Sequence, residues 1–167
     1  MYEHLLVALD GSPHAERVLE HTEALAKAFG STVTLLRATV SAETLLAQTA
    51  GAGQTIGDVA PVMDPTPILE ADRDAAVEYL EPVAARLRQH NLTVFIETPE
   101  GPAAEEIVER ARADDVSLIL MTTHGRSGLR RVLFGSVADA VLRHAACPVL
   151  LVRVTEEDDR TESPSPS

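Results

Sequence analysis

The sequence predicts one α/β domain with a five-stranded parallel sheet and helices on both of its faces. Five short apolar runs alternate with four segments in which apolar residues recur at helical spacing. Gly, Pro, Asp and Asn bound these runs, as is typical of buried strands. Strands that alternate with helices pair in parallel through right-handed crossovers. A chain of 167 residues can bury such a core without a disulfide, and Cys147 is its only Cys.

The first part of the chain predicts a β-α-β unit. Residues His4 to Leu9 form the first strand, and residues Thr32 to Ala38 form the second. Between them, Ser12 is placed to cap a helix that has Pro13 as its first residue, where the missing N–H group costs nothing. Gly30 follows the last apolar residue of this helical pattern and predicts its end.

A long, flexible connection is expected between residues 41 and 67. Small residues and prolines dominate this segment without a sustained period, apart from a short helix predicted over Ala42 to Gln48. Connections of this length often cover a site, and they also occur as neutral surface insertions. Both interpretations stay open at the level of the sequence.

The rest of the chain predicts three more strands and three more helices. The strands are expected over Leu92 to Glu97, Val116 to Met121 and Pro148 to Val154. One helix is expected to end at His90-Asn91, one to open at Gly101-Pro102, and one to run from a cap at Ser136 through about Ala145. Residues 156–167 are acidic and rich in Ser and Pro, so we expect a disordered tail behind a domain of residues 1–155.

The charge of the chain excludes several classes of partner. Acidic residues number 26 against 14 basic ones, which gives a net charge of -12, and aromatic residues make up only 3%. Such a surface repels phosphate backbones and anionic lipids, so we expect neither nucleic acid nor membrane as a partner. No basic, apolar leader precedes the first strand, and no apolar run approaches the roughly 20 residues of a membrane span. These observations predict a cytoplasmic protein.

The segment from Met121 to Val137, with the sequence MTTHGRSGLRRVLFGSV, is the best candidate for a ligand site. It leaves a strand and enters a helix at the carboxyl edge of the sheet, where open α/β sheets bind ligands. Gly125 and Gly128 let an anion approach the backbone, and Gly135 and Ser136 stand at a helix start that favours negative charge. Three basic side chains reverse the charge locally; they are Arg126, Arg130 and Arg131. Each feature alone is ordinary turn, capping or surface chemistry, but together they indicate a phosphate-bearing ligand.

Other nucleotide motifs are absent from the sequence. The only Lys, Lys27, stands far from any glycine loop, which excludes a P-loop, and no G-x-G-x-x-G follows the first strand. Asp10 stands alone after that strand, whereas a response-regulator receiver needs clustered acids there. We find no catalytic triad, no paired carboxylates and no metal-ligand spacing. No catalytic residue and no protein-bound metal site are therefore predicted.

Three segments of the sequence resemble the universal stress protein family. They are ALDGS at Ala8 to Ser12, the segment Met121 to Val137, and CPVLLV at Cys147 to Val152. The family's nucleotide motif is G-x2-G-x9-G-[ST]. Gly125, Gly135 and Ser136 match this motif, whereas Thr122 replaces its first glycine. The resemblance covers residues 2 to 154.

The resemblance implies a Rossmann-like fold of the adenine nucleotide alpha hydrolase type, with strand order 3-2-1-4-5. It also implies a homodimer joined along the last strand, Pro148 to Val154, and a site for ATP with Mg²⁺ at the carboxyl edge of the sheet. In that site Asp10 meets the ribose or a metal-bridged phosphate. The residues implied in nucleotide binding are Ala8, Leu9, Asp10, Ala38, Met121, Thr122, His124, Gly125, Arg126, Gly135, Ser136 and Val137.

The function implied is that of an ATP-binding regulatory protein of the stress response, which acts on an unidentified protein partner and hydrolyses ATP slowly at most. The alternative is a stress protein without nucleotide that acts as a dimeric interaction module, and Thr122 supports this hypothesis. A related adenine-nucleotide hydrolase is the third interpretation. It is disfavoured because Asp10-Gly11-Ser12-Pro13 stands where a Ser-Gly-Gly phosphate loop is expected.

Overall fold

A five-stranded parallel sheet organises the computed structural model, which describes residues 1–51, 64–124 and 135–154. Its strands are β1 (His4–Ala8), β2 (Thr32–Leu36), β3 (Thr93–Glu97), β4 (Leu118–His124) and β5 (Val149–Val154). The order across the sheet is β3-β2-β1-β4-β5, and every neighbouring pair is parallel. The predicted α/β class, strand number and strand order are confirmed.

Five helices are described around the sheet. They are α1 (Val18–Phe29), α2 (Ala42–Gly51), α3 (Thr66–Gln89), α4 (Ala103–Ala113) and α5 (Ser136–His144). Helices α1 and α3 pack with one face of the sheet, and α4 and α5 pack with the other. The chain alternates its inward-facing residues accordingly: Leu5 and Val7 belong to the first core, and Leu6 belongs to the second.

Several element boundaries differ from those predicted. The first helix opens as a 3-10 turn at Ala15–Arg17, and regular α1 starts only at Val18. Ser12 still acts at this start, because its hydroxyl oxygen accepts a hydrogen bond from the Ala15 N–H at 3.2 Å. Gly30 ends α1 in the left-handed conformation, with a φ of 68°, as predicted.

The predicted connection of residues 41–67 begins and ends in helix. Helix α2 reaches Gly51, beyond the predicted Gln48, and α3 already begins at Thr66. Residues 52–63 lie outside the described residues, as does the tail of residues 156–167 that was predicted to be disordered. Over the described ranges, no helix combines the length and the apolar character needed to cross a membrane.

The candidate segment contains two further corrections. Strand β4 continues to His124, whereas its end was predicted at Met121, because β5 pairs with the three added residues. Ser136 was predicted to cap the last helix, but it is the first residue of α5. Gly135 takes the capping position instead, since its ψ of 152° turns the chain into the helix.

Replacing Leu80 by Ala tests the contribution of α3 to the core. Leu80 is fully buried between α3 and the sheet, so its loss removes apolar contacts and leaves a cavity. We expect the free energy of unfolding in urea to fall by about 2–5 kcal/mol. Ile68→Ala on the same helix is the control, because Ile68 is 41% exposed and loses less burial. Equal losses for the two variants would contradict this assignment of the core.

Candidate functional site

A cleft of about 230 Å³ opens at the carboxyl edge of the sheet, beside the ends of β1 and β4. The chain leaves β1 toward β2 on one side and reaches β4 on the other, so the strand order reverses at this point. The residues that line the cleft come from strand ends, from the start of α4 and from the start of α5. They are Ala8, Leu9, Asp10, Ala15, Leu36, Ala38, Ala103, Ile107, Met121, Thr122, Thr123, Gly135, Ser136, Val137 and Ala138.

Nine residues of the sequence-predicted site lie together in this cleft. They are Ala8, Leu9, Asp10, Ala38, Met121, Thr122, Gly135, Ser136 and Val137. His124 is the last residue of β4. Gly125 and Arg126 fall outside the described residues, together with Gly128, Arg130 and Arg131. The structure therefore gathers these nine members of the predicted site, while the side chain of His124 lies outside what the structure describes. Contact of the nine residues with a nucleotide stays a prediction.

Six residues of the cleft wall were not predicted from the sequence. Five of them are apolar: Ala15, Leu36, Ala103, Ile107 and Ala138. Ala103 and Ile107 lie one turn apart on α4, a spacing that a core-facing helix shows as well. The sixth residue, Thr123, occupies a variable position of the motif, so the motif alone gave no reason to select it.

The start of α5 gives the cleft a side that suits an anion. Ser136 and Val137 lie in the first turn of this helix, where N–H groups lack intrahelical partners and the helix dipole is positive. Among the described residues other than its chain neighbours, no heavy atom lies within 4 Å of the position that a Cβ on Gly135 would occupy. The described residues therefore do not crowd this end of the helix.

A tight turn places Asp10 at the rim of the cleft. The Ser12 N–H donates a hydrogen bond to Oδ1 of Asp10 at 2.9 Å, which fixes the carboxylate over the turn. Gly11 has a φ of 87°, a conformation that other residues rarely adopt. Just before the turn, the Leu9 N–H donates to the Leu36 carbonyl at 2.9 Å, so β1 and β2 stay paired up to the rim.

Main-chain hydrogen bonds also hold the opposite rim. The Thr39 N–H donates to the Pro99 carbonyl at 2.8 Å, and the Gly101 N–H donates to the Thr39 carbonyl at 3.0 Å. The Val40 N–H donates to a carboxylate oxygen of Asp72 at 2.8 Å, which ties α3 to the chain that follows β2. The chain that follows β2, helix α3 and the segment that leads into α4 are thus held together beside the cleft.

Larger grooves also lie away from the carboxyl ends of the strands. A groove of about 290 Å³ lies at the opposite edge of the sheet, beside Gly30 and Asn91, and includes no helix start. Two others lie on the helical faces. One, of about 450 Å³, runs between α1 and α3 and is lined mainly by polar and charged side chains. An ion pair crosses it, with the Arg86 guanidinium 3.0 Å from the Glu16 carboxylate. The other, of about 570 Å³, lies between α4 and α5. Neither groove combines strand ends, a helix start and an apolar wall, so the smaller cleft is the candidate site.

A comparison with protein families agrees with this architecture. The model of the universal stress protein family matches residues 1–153, which is nearly the whole described chain. The chain belongs to the universal stress protein family. The resemblance noted in the sequence is therefore confirmed at the level of the family.

Individual relatives show the same fold at low sequence identity. The chain is 27% identical over 158 residues to universal stress protein MJ0531 of Methanocaldococcus jannaschii, covering 95% of this chain and 86% of the relative. The solved structure of protein MJ0577 from the same organism superposes with a TM-score of 0.73 at 25% identity, covering 93% of this chain and 99% of that one. A universal stress protein family protein from Arabidopsis thaliana with AMP bound has a TM-score of 0.63 at 16% identity, covering 98% and 96%.

The structure explains how a universal stress protein tolerates Thr122 where the motif has glycine. Thr122 lies inside β4 and pairs with Val152 of β5. Its backbone is therefore in an extended conformation that every residue can adopt. The replacement keeps the strand intact and adds a half-buried side chain to the wall of the cleft.

The side chains of Arg37 and Tyr79 lie beside the turn that contains Asp10 and Gly11. The Arg37 guanidinium lies 5.6 Å from the centre of the Tyr79 ring. A Cβ on Gly11 would be 3.2 Å from its Nη1 atom, so Arg37 packs directly against the turn. Burial, reinforced by the nearby carboxylates of Glu16 and Asp10, raises the pKa of Tyr79 to about 12. Tyr79 thus keeps its proton in this acidic environment.

This pKa shift predicts a loss of stability at alkaline pH. A Tyr side chain in the unfolded chain titrates near pH 10, so the unfolded state releases its proton first as the pH rises. The contribution of Tyr79 is fully present below about pH 10 and is lost as the pH rises toward 12. Because Tyr79→Phe cannot ionise, its unfolding free energy should fall less steeply than that of the wild type between about pH 9 and 11.5. Parallel pH profiles in urea denaturation would contradict the assignment.

Proposed function

We propose that this universal stress protein is a cytoplasmic regulatory protein of the stress response that binds ATP with Mg²⁺ at the carboxyl edge of its sheet. The observation that carries the proposal is the joining of three chemistries in one cleft. Asp10 supplies a carboxylate, Met121 and Ile107 supply apolar surface, and the start of α5 supplies N–H donors. An adenine nucleotide has one group for each of these: ribose hydroxyl groups for the carboxylate, the apolar faces of its aromatic ring for the apolar surface, and phosphates for the N–H donors.

Each part of the nucleotide has a counterpart in the cleft. The Asp10 carboxylate accepts hydrogen bonds from ribose hydroxyl groups. Ala38, Ile107 and Met121 contact the faces of the adenine ring, and the N–H groups of Ser136 and Val137 donate to phosphate oxygens. In the described part of the chain, no three His, Cys, Asp or Glu side chains converge as a metal site. Mg²⁺ in this proposal arrives on the phosphates, whose charge it neutralises.

The size of the cleft suits the nucleoside rather than the whole ligand. Pockets that enclose a drug-sized molecule measure roughly 300–1,000 Å³, whereas this cleft measures about 230 Å³. The phosphates then extend past Gly135, beyond the space that the described residues line. In the sequence, residues 125–134 separate the end of β4 from Gly135. That segment carries three arginines in its sequence. The Arabidopsis thaliana protein holds AMP in the same fold, which is consistent with a nucleotide in this architecture.

The proposed role is binding and regulation, with at most slow hydrolysis. Phosphoryl transfer needs cations and a positioned base around the terminal phosphate. The only Lys of the chain lies at the end of α1, where Lys27 pairs with Glu23, and it is not among the residues of the cleft. ATP in such a site serves as a bound signal that changes a surface for a protein partner.

We further propose that the functional unit is a homodimer joined through β5, as the family resemblance implies. β5 is an edge strand of the sheet, and its residues from Val149 to Val152 are apolar and only half-buried. Exposed apolar edges promote pairing with another chain. The same edge supports the second candidate function, a dimeric interaction module without nucleotide. In that candidate, the added side chain of Thr122 in the cleft wall replaces part of the ligand.

Thermal unfolding with and without Mg-ATP tests the nucleotide site. Ligand at 100 times its Kd adds about 2.7 kcal/mol of stability, which raises the Tm of a domain of this size by about 5–10 °C. GTP and cyclic AMP serve as controls for the nucleotide.

A matched pair of substitutions then separates the effect of charge from the effect of side-chain size. Gly135→Asp and Gly135→Asn introduce side chains of nearly equal volume, and both residues are good helix caps.

The two Gly135 variants should fold as the wild type does, because the glycine has an ordinary φ of -56° and no described residue beyond its chain neighbours lies within 4 Å of an added Cβ. The Gly135→Asp substitution places a negative charge where the phosphates approach, so it should abolish the ATP-induced shift. Gly135→Asn should retain more of it. An ATP shift in Gly135→Asp equal to that of the wild type would refute the proposed phosphate position.

Arg153→Pro tests the dimer, with Arg153→Ala as its control. The Ile119 N–H donates to the Pro148 carbonyl, and alternate residues of a strand bond to opposite sides, so the Arg153 N–H points away from β4. Proline removes that donor in each protomer, whereas alanine keeps it. Two lost hydrogen bonds at about 1 kcal/mol each should weaken the dimer about 30-fold in analytical ultracentrifugation. Unchanged association of Arg153→Pro would exclude β5 pairing.

A further inference from the structure

The hydroxyl group of Thr123 is buried in the wall of the candidate cleft and has no hydrogen-bond partner among the described residues. The residue is only 5% exposed, and its Oγ1 atom is shielded from solvent. Buried hydroxyl groups in folded proteins are nearly always hydrogen-bonded, so an exception needs an explanation.

The other buried polar side chains of the described residues show how unusual this is. Five such residues are present, and four of them have partners. Thr22, Ser31 and Thr39 donate to backbone carbonyls, and Thr34 hydrogen-bonds an imidazole nitrogen at 2.8 Å. Thr123 is the exception, and among the five it is also the one that lines the cleft. Two larger, less buried side chains of the described residues, Tyr79 and Glu97, also have a buried oxygen without a hydrogen-bond partner, but neither lines the cleft. The missing partner and the cleft therefore coincide.

The position of Thr123 limits what that partner is. It lies on β4 opposite Arg153 of β5, in the same cleft wall as the Asp10 turn and the start of α5. Asp10 is an acceptor that suits ribose hydroxyl groups, and the start of α5 is a donor that suits phosphates. A hydroxyl group in the same wall can serve the junction of ribose and phosphate. Rotation about the Cα–Cβ bond of Thr exchanges hydroxyl and methyl, so either group can face the cleft without backbone movement.

We propose that Thr123 is a ligand-binding residue whose hydroxyl donates a hydrogen bond to the phosphate nearest the ribose of a bound adenine nucleotide. An anionic phosphate oxygen accepts such a bond more strongly than a neutral oxygen does. This inference rests on the proposed nucleotide site and adds a donor to it. It assigns the recognition of the first phosphate to β4, beside the donors of α5.

Calorimetric titration of AMP and of adenosine into Thr123→Val and Thr123→Ser tests the proposal. Val has nearly the shape of Thr but no hydroxyl, so the Kd for AMP should rise about tenfold or more, as expected for one lost hydrogen bond to an anion. The Kd for adenosine, which has no phosphate, should change less than about twofold. Thr123→Ser keeps the hydroxyl and should bind AMP nearly as the wild type does.

The Tm without ligand separates this role from a structural one. Thr123→Val removes a buried group that has no partner, so its Tm should equal or exceed that of the wild type. A lower Tm, an unchanged Kd for AMP, or equal losses for AMP and adenosine would each overturn the role of Thr123. Wild-type protein that binds neither AMP nor ATP would instead refute the nucleotide site itself, and the role of Thr123 with it.

Discussion

Burial of β1 on both faces is the constraint from which the rest of the structure follows. Leu5, Leu6 and Val7 have no exposed surface, and they face alternate sides of the sheet. A strand buried in this way needs a neighbouring strand on each side and a helix layer on each face. β2 and β4 are its neighbours, α1 and α3 form one helix layer, and α4 and α5 form the other. Because the chain leaves β1 toward β2 and later returns on the β4 side, a gap remains at the carboxyl ends of β1 and β4. The candidate site is a consequence of that topology.

The sequence predicted correctly those strands, helices and turns that are determined by neighbouring residues along the chain. The apolar run of β1 and the turn residues Asp10 and Gly11 determine a strand and its end through neighbouring residues alone. The type of each predicted strand and helix and their succession along the chain followed from such patterns. The strand order across the sheet and the nine predicted residues now seen in the cleft were implied by the family resemblance. The strand order then placed these residues together, although they are distant in sequence.

The errors arose where distant residues determine the outcome. The end of β4 depends on pairing with β5, and Val152 to Val154 extend it to His124. Ser136 is of a residue type that commonly caps helices, but the backbone angles at Gly135 decide which residue occupies that position. Thr123 escaped selection because a Thr in a strand has no feature that shows whether its hydroxyl finds a partner. That property depends on the side chains packed around it.

The acidity of the protein shapes how an anionic ligand can be held. A net charge of -12 opposes a nucleotide at long range, but at physiological salt such repulsion is screened beyond about 8 Å. Short-range donors therefore decide the affinity, whereas the net charge acts mainly on the rate of association.

The donors at short range come from two elements with different costs. Every α-helix begins with N–H groups that have no partner within the helix, so those at the start of α5 provide donors without lowering the stability of the fold. The Thr123 hydroxyl is different, because a buried polar group without a partner costs about 1–3 kcal/mol in the ligand-free protein. A ligand that supplies the missing partner recovers this energy on binding. The free energy lost by the unpaired hydroxyl in the ligand-free protein thus adds to the binding free energy of the nucleotide. The fold tolerates this loss because β1 and its neighbours are tightly packed.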